Sequence, residues 1–87
     1  MYVIIAYDIG VERLNKVKAL LRKYLNWVQN SVFEGEITPA KLEELKYEIR
    51  EIIDENQDSI VIYIFRAKPA VKREIIGVEK GEIGEVI

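Results

Sequence analysis

Two stretches of the chain are apolar on both sides of an extended backbone. Residues 2–9, YVIIAYDI, and residues 59–65, SIVIYIF, consist almost entirely of β-branched, aromatic and aliphatic residues. Such runs read as buried strands. Strands without polar alternation need cover on both faces of their sheet. Only two segments offer themselves as helical cover. Val11, Leu14, Val17, Leu21, Tyr24 and Leu25 share one side of a helix that Asn26 ends. Leu42, Leu45, Ile49, Ile52 and Ile53 form a second stripe, with Thr38 as N-cap and Pro39 at the first helical position. Two helices cover one face. A second subunit is the economical cover for the other, as a symmetric sheet-to-sheet homodimer. The single domain, residues 1–87, is also small enough to be marginal alone.

The remaining elements are weaker. Trp27–Ile37, WVQNSVFEGEI, alternates as a strand that Asn30-Ser31 bends or splits in two. After a loop at Pro69, Val71–Gly77 reads as a further, more exposed strand. Residues 78–87 form a C-terminal segment whose last part, Glu82–Ile87, suits a short strand added at a dimer or partner edge. The order expected is therefore β-α-β-α-β-β plus that tail. This is an α+β two-layer sandwich, with its sheet centred on residues 2–9 and 59–65.

Composition excludes much chemistry. The chain has no histidine, so a Ser-His-Asp triad, imidazole acid–base catalysis and His-ligated metal are out. It has no cysteine, hence no disulfide and no zinc–thiolate site. No apolar run approaches a membrane span, and no charged leader precedes the first strand, so a cytoplasmic protein is expected. What remains is carboxylate, Lys, Tyr or Ser chemistry, or a hard metal ion held by oxygen.

Asp8 is the residue that best fits such chemistry. It ends a buried strand at the carboxyl edge, where open α/β sheets tend to bind ligands. The competing role is a cap or turn before the helix that starts near Val11. One carboxylate is a poor metal site, but Mg²⁺ keeps several waters and can be held by one or two carboxylates plus substrate phosphate. A twofold dimer would bring a second Asp8, and two facing carboxylates would hold one Mg²⁺ to polarise a phosphate and activate water. Arg13, one turn into the helix, either meets a phosphate or is a surface charge. Gln29, Ser31 and Phe33 share a strand face that either touches nucleic acid or, for Phe33, packs in the core or the dimer interface.

The net charge of −2 argues against a strongly nucleic-acid-binding domain, yet its distribution is uneven. Residues 1–33 carry five Lys/Arg against two acids, and residues 34–58 carry three against nine. Arg13, Lys16, Lys18, Arg22 and Lys23, with the acid-free run RAKPAVKR at Arg66–Arg73, make one end basic. These charges are either a binding surface or ordinary solvated helix faces.

YDI at the end of the first strand, Arg13 followed by Lys16-Val17, VQNSVFEG at Val28–Gly35, DSIVIYIF at Asp58–Phe65 and Gly77 come in the order and spacing of a known family. Over nearly its whole length the chain resembles the small CRISPR-associated endoribonuclease family, the adaptation-module partner of the CRISPR integrase. The VQNSVFEG string is the most specific part. The resemblance implies a ferredoxin-like fold, a homodimer, and a place between integrase dimers bracing a double-stranded prespacer during spacer acquisition in antiviral defence. It also implies a Mg²⁺-dependent endonuclease acting on single-stranded RNA or on DNA, with Asp8 as catalytic metal ligand. Tyr7, Arg13, Lys16, Ser31 and Phe33 are then the candidate nucleic-acid contacts. The sequence departs from the family in ERLNKV, where Leu14 and Asn15 separate Arg13 from Lys16. The alternatives are a DNA and protein scaffold without catalysis, or a ferredoxin-like dimer regulated by a small molecule.

Overall fold

A computed structural model of the chain describes residues 1–81. The first apolar run forms β1, Tyr2–Asp8, and the second forms β4, Ser59–Phe65. Helix α1 spans Val11–Arg22 and α2 spans Pro39–Ile52. Between the helices lie two strands, β2 at Asn26–Gln29 and β3 at Val32–Glu36. All pairings are antiparallel, in the order β2-β3-β1-β4. This βαββαβ path is the ferredoxin-like α+β sandwich.

Residues 27–37 therefore split rather than bend, at the point where Asn30 takes φ of 35°. Asparagine tolerates this left-handed conformation better than most residues. The turn is tied to β1: the Tyr7 amide donates to the Ser31 carbonyl at 3.0 Å, and the Asn30 carbonyl accepts from the Tyr7 hydroxyl at 3.2 Å and from Trp27 Nε1 at 2.9 Å.

Helix α2 begins as its sequence dictates, the Thr38 hydroxyl accepting from the Lys41 amide at 3.1 Å. Helix α1 ends at Arg22, short of the expected Asn26. The amides of Lys23 and Tyr24 turn back to the carbonyls three residues earlier, which tightens and closes the helix. Tyr24 and Leu25 keep the helix-facing period through this turn, which is why periodicity overextends it. The Tyr24 hydroxyl ties the turn to α2 through Glu44 at 2.9 Å and Glu48 at 3.0 Å. Val11 also departs from the expected stripe, standing 82% exposed at the first position of α1.

The core lies between the helices and one sheet face. Val3, Ile5, Tyr7 and Phe33 meet Val17, Leu20 and Leu21 of α1 and Leu42, Leu45 and Ile49 of α2. The other face carries Ile4, Ala6 and Asp8 of β1 beside Tyr63, Val61 and Ser59 of β4.

Two expectations fail here. β4 is an edge strand, bonded to β1 alone among the described residues, and the centre of the sheet is β1 with β3. Val71–Gly77 forms no strand. Its chain passes over the second sheet face instead, lining a groove with Tyr2, Ile4, Val28 and Glu34. Lys68–Arg73 contains Pro69, whose carbonyl accepts from the Val71 amide in a tight turn, and Gly77 takes φ of 98°. Neither geometry propagates a ladder. This segment buries Tyr2 and Val28 on the β1–β3–β2 side, while Val61 at 43% and Tyr63 at 54% stay exposed on β4. The expected cover by a second subunit thus concerns the β4 half of the face. The expected strand Glu82–Ile87 lies outside the described residues. No helix among the described residues is long and apolar enough to cross a membrane.

Candidate active site

Asp8 is the last residue of β1, directly opposite Ser59 of β4, and both are exposed. The capping role is not the one it plays. The N-cap position of α1 is Gly10, and no side chain caps that helix. Among the described residues, the Asp8 carboxylate enters no hydrogen bond or ion pair. No group of three or more acidic side chains gathers among the described residues.

Just behind Asp8 the chain is held firmly. Asp58, which ends the loop between α2 and β4, has a side chain with no exposed surface. Its Oδ1 accepts from the Gly10 amide at 2.8 Å and from Arg13 Nη2 at 2.9 Å. Its Oδ2 accepts from the Asp54 amide at 2.9 Å and from Arg13 Nε. The Arg13 guanidinium, with the Asp54 and Gly10 amides, holds the Asp58 carboxyl well below the usual carboxylate range despite its burial. The same pair raises Arg13 above its ordinary value. The other arm of the guanidinium meets Glu12 at 3.3 Å.

Arg13 is therefore engaged within the fold and is not presented to a phosphate. Tyr7 is buried in the core, its ring 6.0 Å from that of Phe33, and burial raises its hydroxyl above the ordinary value. Phe33 is wholly buried on the helix-facing side of β3. Neither ring offers a face to nucleic acid, because the alternation of β1 and β3 turns both toward α1 and α2. Ser31 is exposed in the turn after β2, and Lys16 is exposed on α1, so these two alone of the candidate contacts face solvent while lying outside an internal ion pair or the core. Elsewhere on α1, Lys18 Nζ stands 5.5 Å above the Trp27 ring and the Arg22 guanidinium 5.9 Å from it.

The sequence by itself assigns no site role to Asp58 or Gly10, although Asp58 opens the stretch DSIVIYIF. Asp58 reads as the end of the polar run after α2. Its signal was its place, one residue before the strand that pairs with β1, so that antiparallel register returns it to the end of β1.

The sequence pattern described as CRISPR associated protein Cas2 matches residues 1–73. The chain is 60% identical over 87 residues to the CRISPR-associated endoribonuclease Cas2 2 of Archaeoglobus fulgidus, covering all of this chain and 95% of that one. It is 56% identical to the CRISPR-associated endoribonuclease Cas2 of Pyrococcus furiosus, with both chains covered in full. A crystal structure of Cas2 superposes with a TM-score of 0.85 at 46% identity, covering 100% of this chain and 98% of that one.

Proposed function

Since the chain belongs to the CRISPR-associated Cas2 family, we propose that it is a Mg²⁺-dependent endonuclease of spacer acquisition, working as a homodimer through Asp8. The observation that carries this reading is where Asp8 stands. It lies at the end of the same sheet face that leaves Val61 and Tyr63 exposed, and its carboxylate enters no hydrogen bond or ion pair among the described residues. A second copy packed on that apolar patch would bring its own Asp8 to the same side.

Two Asp8 carboxylates form a donor set that suits Mg²⁺, which binds through few carboxylates and keeps its waters. When bound, that ion supplies the charge that polarises a phosphodiester and makes water nucleophilic. The protein's own part is to hold Asp8 at a fixed place and to receive the nucleic-acid backbone. The relatives named endoribonucleases support RNA as a substrate; double-stranded DNA is the other. The exposed cations of α1, Lys16 among them, suit a second task of bracing prespacer DNA beside the integrase.

The test incubates purified protein with labelled single-stranded RNA and duplex DNA, with Mg²⁺ or with EDTA, beside Asp8→Ala. Cleavage is expected only for the wild-type chain with Mg²⁺. Cleavage that survives either EDTA or the substitution refutes the mechanism.

A further inference from the structure

Burying a carboxylate is costly unless its lone pairs are satisfied and its charge is matched. Asp58 meets both demands, with four donors on its two oxygens. What those donors are is informative. One is the amide of Gly10, two residues after Asp8. Two belong to Arg13, the third residue of α1, and one to Asp54 in the loop after α2. In an ordinary capping box, the third helical residue reaches back to the N-cap amide with its own carboxylate. Here that residue is an arginine, and it engages a carboxylate from another part of the chain to do so. The start of α1 is thereby closed by the element that leads into β4.

Gly10 fits this arrangement sterically. Its φ of −57° and ψ of 144° are open to any residue. Space is what restricts it: a Cβ there would run into Glu12 Oε1 and stand 2.5 Å from Arg13 Nη2 and 3.2 Å from its Cζ. The tips of Glu12 and Arg13 lie over the bare Cα, so a methyl group would force this pair to shift and crowd the guanidinium against Asp58 while leaving the charges in the chain.

Asp8 is fixed from two sides as a result. On one side the β1–β4 ladder continues to the pair Asp8–Ser59, and Ser59 follows Asp58 directly. On the other, only Ile9 separates Asp8 from the held amide of Gly10. We propose that Asp58 and Arg13, meeting over Gly10, are positioning residues that set where the Asp8 carboxylate stands. The catalytic consequence rests on the proposed role of Asp8. Misplacing a reacting group by about 1 Å can cost roughly a hundredfold in rate, so loosening this latch acts on turnover while leaving substrate affinity alone.

The experiment compares the wild-type chain with Gly10→Ala, Arg13→Lys and Asp58→Asn, each first shown by circular dichroism to be folded at the assay temperature. Three quantities are read: kcat and KM for Mg²⁺-dependent cleavage, the Mn²⁺ concentration that half-broadens the Asp8 amide signal in NMR spectra, and the ¹⁵N relaxation of Asp8 and Gly10. The latch variants are expected to lose about 10- to 100-fold in kcat with KM within about twofold. Their Asp8 amide should gain sub-nanosecond mobility, and the Mn²⁺ midpoint should rise. A folded latch variant with wild-type Asp8 relaxation, Mn²⁺ midpoint and kcat overturns the proposal. Arg13→Lys and Gly10→Ala keep that outcome reachable if Asp58→Asn does not fold. Wild-type cleavage that survives EDTA, or cleavage that persists in Asp8→Ala, overturns the role of Asp8 instead, and the relaxation of Asp8 then still decides whether the latch positions it.

Discussion

Replacing Phe33 by alanine removes the largest fully buried side chain of the core. The ring has no exposed surface, stands 6.0 Å from Tyr7, and has the Arg22 guanidinium 6.0 Å from its centre. Truncating a buried phenylalanine costs about 3–5 kcal/mol, part lost transfer energy and part the cavity left behind. A domain of this size shifts its midpoint by about 4–8 °C per kcal/mol, so Phe33→Ala should melt roughly 12–40 °C below the wild type. Total stability of a small domain is only about 5–15 kcal/mol, so the variant sits close to unfolding. The assay is urea unfolding followed by circular dichroism, at matched protein concentration because any association raises apparent stability. Ser31→Ala, in the exposed turn just before β3, is the control and should stay within about 0.5 kcal/mol. Nucleic-acid binding is then measured where both proteins are more than nine-tenths folded. A loss of stability below about 1 kcal/mol, accompanied by weaker binding of nucleic acid, would refute the core assignment of Phe33 and restore it as a contact residue.

Two further outcomes follow from the charges. The Asp58 carboxyl is held low in the folded chain by Arg13 and the two amides, so its contribution is fully present above the unfolded value of about 4 and is lost as pH falls through the folded one. The urea midpoint of the wild type should therefore drop below about pH 4, and Asp58→Asn should show a shallower acid decline; an equal decline in both would remove Asp58 as its source. On α1, Lys16→Ala should weaken duplex DNA binding and reduce the slope of log affinity against log salt by about one, as for one phosphate contact. A slope that does not change takes Lys16 out of the binding surface.

Much of the fold was legible because it is local. The unbroken β-branched runs specified β1 and β4, and helical spacing specified the stripes of α1 and α2. Thr38-Pro39 placed the start of α2, since capping depends on residues three apart. The motif VQNSVFEG carried the family. Asp8 stood out as the one acid at the end of a buried strand.

What tertiary structure decided is what depends on residues far apart in the chain. Period two says that a strand has two apolar faces, yet not who its neighbours are, so β4 passed for a central strand until pairing put it at the edge. The stretch Val71–Gly77 reads locally as an exposed strand, but it crosses a sheet face and forms none. Phe33 and Ser31, two residues apart, separate into core and solvent because the Asn30 turn ends before Phe33 enters β3. Above all, Arg13 reads as a surface cation and Asp58 as the last acid of a polar loop, 45 positions later. Antiparallel register brings the start of β4 back to the end of β1, and only there do the two charges meet, over a glycine whose missing Cβ leaves them room.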